Sequence, residues 1–179
     1  ALLTGGRVHQ SSRMRRERER EETLRPLELR VRETRPLFYT EGRDVFPRLR
    51  EIEASLEEVE DLARRHPGHP RVWSILGIGW YLVGDGVRAE RALLRARPDD
   101  GLARLHLAKI HISRAVTEKA AALLETEVAG EEIDRQLGRA YASFAAGRKE
   151  EALRRCDEGA ARFGRDMGAE EFHLIRAMI

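Results

Sequence analysis

The residues of this chain that could do chemistry are six histidines, one cysteine and an unusual number of arginines. Imidazole serves as a metal ligand or as an acid–base group near neutral pH, and a thiolate serves as a nucleophile or a ligand. Their spacing favours none of these uses. His106 and His111 are five residues apart, which puts them on different faces of a helix, and His66 and His69 flank a Pro-Gly turn. No His-Glu-x-x-His, no Glu-x-x-His set and no cysteine partner accompanies them. Cys156 stands alone, so neither an intrachain disulfide nor a cysteine-based zinc cluster can form. Within EALRRCDEG it falls on the inner face of an amphipathic helix, the setting of a buried structural thiol. No serine sits in a Gly-x-Ser-x-Gly turn, and TGG (4–6) and GDG (84–86) are too short to cradle a phosphate. Gly84 and Gly86 read instead as the turn between two paired helices. A non-catalytic protein is expected, with no metal, no cofactor and no small-molecule substrate.

The elements that carry these residues are helical by composition. In 179 residues, enough for one domain with a core, aromatics make up only 6% while Ala, Leu, Arg and Glu dominate. The net charge is +2, and Lys appears only at 109, 119 and 149, so the positive charge is almost all arginine. Arginine forks onto carboxylates and phosphates where lysine cannot. VWSILGIGWYLV (72–83) is uncharged and holds both tryptophans, yet it falls short of the roughly 18–20 apolar residues needed to span a bilayer. ALLTGG (1–6) is small and apolar, the composition of a stub left by a signal or an adjoining membrane helix.

Three zones follow along the chain. Residues 1–43 form an arginine-rich arm with eleven arginines against seven acidic residues. Arg13 and Arg15 lie one helical turn from Glu17 and Glu19, and Arg16 adds to the charged run. After Pro26, LELRVRE (27–33) alternates strictly, so Leu27, Leu29 and Val31 would share one face of a strand. A solitary strand either lies extended along the domain or pairs with another chain. From Asp44, a good N-cap, a helix is predicted in which Phe46, Leu49, Ile52, Leu56, Val59 and Leu62 form one apolar stripe. RRHPGHP (64–70) closes it.

A recurring pattern begins after Pro70. Trp73, Leu76, Gly77 and Trp80 lead into Gly84, Ala89, Leu93 and Ala96. Leu107, Ala108 and His111 are followed by Ala120 and Leu124, and Leu137, Gly138 and Tyr141 by Gly147, Ala152 and Cys156. The Leu-small pair advances by 31 and then 30 residues. The small residue sits where two helix backbones approach closely, and such units bury their apolar faces only by stacking. GAEEFHLIRAMI (168–179) offers Phe172, Leu174, Ile175, Met178 and Ile179 as a closing helix more apolar than a solvent-facing cap.

On these residues the chain resembles the tetratricopeptide repeat family. The resemblance covers residues 44–163 with decreasing strength, and Pro67 falls where a diverged first repeat would end. Its intervals are shorter than the family's usual 34 residues, the second copy lacks the large aromatic at its start, and the third has two extra residues between Tyr141 and Ala152. It implies an all-α helical-repeat solenoid over residues 44–179, about three helix–turn–helix repeats plus a terminal helix. It also implies a concave groove lined by Arg71, Ser74, Ile78 and Tyr81, then Leu105, Lys109 and Ile112, then Arg135, Arg139 and Ala142. Lys109, Arg135 and Arg139 would make one end basic, matched to an acidic or extended segment of a protein partner. The chain has no asparagine, so the family's carboxylate clamp is not expected.

The expected role is a scaffold that docks on or helps assemble a larger complex, in the cytoplasm or at a membrane periphery. Arg13, Arg15, Arg16, Leu27, Leu29 and Val31 are the arm's candidate contacts, with a partner complex or with a membrane surface. The alternative is a nucleic-acid-associated factor working through the arm, which the interleaved glutamates and the two aromatics, Phe38 and Tyr39, disfavour.

Overall fold

The computed structural model describes residues 18, 21–22, 24–31, 33–34, 46–65, 67–128, 130–164 and 170–179. Among these residues every regular element is an α-helix and none is a strand. The expected strand is therefore corrected: α1, residues 24–31, is helical, and Pro26, read as a break, lies within it. Leu24, Leu27 and Val31 are buried, while Leu29 is 54% exposed. The alternation of Leu27, Leu29 and Val31 is half of a different pattern. Adding Leu24 turns it into steps of three and four residues, which mark one face of a helix. That face belongs to the same apolar cluster as Leu56 and Trp80. Glu21 and Glu28 pair with Arg71, and Arg30 donates to the Ser55 hydroxyl, so the expected arm is folded onto the domain here. Arg13, Arg15 and Arg16 lie outside the described residues, as does Asp44.

α2 spans Phe46–Arg65 and buries Ile52, Leu56, Val59, Leu62 and Ala63. Its stripe begins later than the spacing predicts, because Phe46 is 70% exposed and Leu49 only partly covered. Arg64 and Arg65 close the last turn, where cations oppose the helix dipole, and a turn at Pro67–Gly68 follows.

α3, Pro70–Leu82, starts with a proline in its first turn and is buried on nearly every side from Val72 to Trp80. Two glycines make that enclosure feasible. A Cβ on Gly77 would lie 2.5 Å from Leu93 Cγ, and one on Gly79 would lie 2.5 Å from Leu56 Cδ2. Gly77 thus admits the next helix on one side and Gly79 admits α2 on the other. Gly84, at φ +86°, turns the chain into α4, Gly86–Leu93, whose N-cap Asp85 accepts from the Arg88 amide at 2.9 Å.

α5 (Gly101–Ser113) and α6 (Thr117–Leu123) form the next pair, and α7 (Glu132–Ala145) and α8 (Lys149–Phe163) the one after. Asp100 caps α5 by accepting from the Ala103 amide. Arg104 stands where the second unit lacks its aromatic. Its guanidinium donates to the carbonyls of Leu123, Thr126 and Glu127, all at 3.0–3.1 Å, tying the end of α6 back to α5. α9, Glu170–Met178, packs on α7 and α8, with Phe172 and Ile175 fully buried and Leu174 and Met178 exposed. Each helix from α2 on packs against the next, and α3, α5, α7 and α9 also touch in series.

Candidate functional site

The groove positions implied by the family resemblance lie on α3, α5 and α7, and much of their chemistry is already used within the chain. Arg71 holds Glu21 at 3.1 Å and also pairs with Glu28, so α1 closes over the first turn of α3. The partnership raises the Arg71 pKa against the opposing effect of its burial. Ser74, Ile78 and Leu105 are buried. Tyr81 is half-buried and meets the edge of the His106 ring at 5.3 Å. Ile112 is partly buried against the apolar cluster that contains Leu137 and Phe172. Arg135 pairs with Glu132 and donates to the Gly130 carbonyl at 2.7 Å, and Arg139 pairs with Glu127.

Lys109 is the most telling of these positions. Its side chain is 4% exposed and pairs with Glu171 of α9, itself 1% exposed. The Tyr141 hydroxyl donates to the same carboxylate at 3.0 Å, and the ammonium stands 5.4 Å from the Tyr141 ring centroid. The acid that answers Lys109 is thus supplied by the chain itself. α9 brings Glu171 in while Phe172 seats against Gly159, where an added Cβ would lie 2.4 Å from the ring. Sequence inspection placed Phe172 and Ile175 in the closing helix but had no signal tying Glu171 to a lysine two units earlier.

The other titratable candidates are structural in their surroundings. His106 is fully buried, with Nδ1 2.9 Å from the Leu102 carbonyl. His111 is buried beside α4, and that burial lowers its pKa below the usual histidine value. Cys156 is buried, and desolvation pushes its thiol up to about 11. A thiol in this state stays protonated at pH 8. Cys156 is expected to react with a disulfide reagent at pH 8 only when the chain unfolds, its labelling following the denaturation curve; rapid labelling of the folded chain would contradict this placement. Among the described residues no cluster of three metal-binding side chains occurs, and no helix is long and apolar enough to cross a membrane.

Away from the groove positions, α2, α3, α4 and the turn after α4 line a half-open cavity of about 410 Å³. Trp73 and Trp80, 7% and 3% exposed, form its inner wall. Arg64, Arg88, Arg91 and Arg95 line its exposed side, with Glu60 as the single acid. Arg88 lies over the Trp80 ring at 4.5 Å and Arg95 over the Trp73 ring at 4.6 Å. The sequence signal was present but unread: Arg88, Arg91 and Arg95 recur at steps of three and four, and the tryptophans they cover are two helical turns apart.

No family model matches the chain, and neither a curated protein nor a solved structure is detectably similar to it.

Proposed function

We propose that this chain is a non-catalytic docking module. In this reading it is a tetratricopeptide-like solenoid of helix–turn–helix repeats that holds another protein and helps assemble a larger complex. The observation that carries the reading is the order of helix contacts. α3 lies on α4, α5 on α6 and α7 on α8, while the first helices of these pairs touch in series and α9 extends the row. Three further features support it. Gly77 and Gly138 stand at close approaches, the latter 2.6 Å from Val128 to an added Cβ. The spacing of Trp73, Leu76 and Trp80 is repeated by Leu24, Leu27 and Val31 on α1 and by Phe172, Ile175 and Ile179 at α9. Each of these apolar faces is covered by neighbouring helices, which is how stacked repeats bury a core.

A fold of this kind commits its close-packed positions to stacking and leaves recognition to its surface. The partner is a protein with an acidic or extended segment. The arginine-rich run that contains Arg13, Arg15 and Arg16 is a second contact for the same assembly.

The test is native capture of the full chain, with and without nuclease, followed by reconstitution from purified components. A protein partner that survives nuclease and binds the purified chain at fixed stoichiometry is the expected result. Loss of every bound species on nuclease treatment would overturn the reading in favour of a nucleic-acid-associated factor.

A further inference from the structure

We propose that the cavity between α2, α3 and α4 is a carboxylate-binding pocket that receives acidic side chains from an extended segment of the partner protein. This rests on the docking function proposed above and assigns it a place on the molecule.

Charge supplies the first argument. Four arginines line the cavity against one acid, Glu60. Arg64 is engaged by Asp61, and Arg88 shares Asp85 at 3.4 Å. Arg91 and Arg95 pair with no carboxylate among the described residues. Elsewhere the cations of the groove positions are already matched, Arg71 by Glu21 and Glu28, Lys109 by Glu171 and Arg139 by Glu127. Among the cations of the cavity and of the groove positions, the two left without a carboxylate, Arg91 and Arg95, both line this cavity.

Geometry supplies the second. A guanidinium resting on an indole is held by cation–π attraction and keeps N–H donors for a forked acceptor. Arg88 and Arg95 are both held this way, at 4.5 and 4.6 Å from their ring centroids. Less side-chain freedom is then lost when a carboxylate binds. Trp80, part of the cavity wall, also keeps a buried indole N–H with no hydrogen-bond partner among the described residues. Such a donor costs free energy until an acceptor reaches it.

Size and surface select a peptide over a nucleic acid. A cavity of about 410 Å³ takes a few side chains. A single strand of nucleic acid needs open aromatic faces for its bases and a basic track for its backbone. Here the indoles are buried under guanidinium groups, and the cations form one cluster.

Both tryptophans of the chain line the cavity, so indole emission of the intact protein reports on this site. The full chain is titrated with an oligoglutamate peptide, and separately with an oligolysine peptide, inorganic phosphate and a single-stranded RNA. Saturable change with oligoglutamate, but not with the other three, is expected. Arg91→Gln with Arg95→Gln should weaken oligoglutamate binding by at least about tenfold, since charged hydrogen bonds are lost. Arg91→Lys with Arg95→Lys keeps the charge without the fork and should recover part of the affinity. Arg154→Gln on α8 should bind as the unaltered chain does. An unchanged melting temperature certifies that the variants fold. The proposal is overturned if oligoglutamate leaves the emission unmoved, if it binds the glutamine variant undiminished, or if RNA or phosphate is the species that saturates. Should the nuclease-resistant partner bind the same glutamine variant at full strength, this pocket is wrong while the docking function stands.

Discussion

Replacing Lys109 with methionine is expected to lower the stability of the folded chain by about 3–5 kcal/mol, the cost of leaving one partner of a buried ion pair unmatched. The carboxylate of Glu171, 1% exposed, would then keep the Tyr141 hydroxyl but lose its counter-charge. Its free energy cannot be recovered by rotation to solvent, because α9 is anchored by the fully buried Phe172 and Ile175 in the turn that follows Glu171. Removing both charges has a different effect. Lys109→Met combined with Glu171→Leu should regain most of the loss, because a well-packed apolar pair avoids the desolvation of two ions. Urea denaturation of the two variants and the unaltered chain measures both numbers. A single variant within about 0.5 kcal/mol of the unaltered chain would behave as a surface substitution does and would contradict the enclosure of Lys109 by α9.

Phe172→Ala should cost a similar amount, about 3–5 kcal/mol, for a different reason. The ring is fully buried, stands parallel to Phe163 at 6.2 Å and fills the space that Gly159 leaves open on α8. Deleting it removes apolar burial and leaves a cavity that a glycine on the facing helix cannot fill. The loss should be read by calorimetry as a lower melting temperature, and by hydrogen exchange as faster exchange in α9 than in α3. Uniform loss across all helices would instead make α9 one cooperative unit with the rest.

These two predictions turn on α9, and α9 shows where the sequence was informative. Phe172 and Ile175 were legible because apolar residues three apart in a short terminal segment predict a buried face. Leu174 and Met178 were assigned with them, but they point outward at the surface of the same helix. The helices α3, α5 and α7 were legible for the same reason, helped by Gly77 and Gly138, whose lack of a side chain has a direct steric cause. The core roles of Trp73 and Trp80 followed from their seven-residue separation.

What was not legible depends on distance in space. Leu27, Leu29 and Val31 satisfy a period of two, and only Leu24, on the far side of Pro26, converts that run into a helical face. The period alone could not choose, and packing against α2 and α3 decided. Similarly, the basic groove residues were identified by position, but whether Lys109, Arg135 and Arg139 face solvent depends on carboxylates at 171, 132 and 127. Arg104 illustrates the converse. Its absent aromatic looked like a weakness of the second unit, whereas its guanidinium caps the carbonyls at the end of α6. The tryptophan–arginine cavity is assembled from three helices, and no local stretch displays it.

The most direct test of docking at the tryptophan–arginine pocket is hydrogen exchange of the full chain in complex with its nuclease-resistant partner, compared with the free chain. The account predicts new protection in α4 and in the C-terminal part of α2, the helices that carry Arg64, Arg88 and Arg91, with α5, α7 and α9 unchanged. Protection confined to α5 and α7, with α4 exchanging as in the free chain, would contradict this pocket as the docking surface and place the partner in the groove instead.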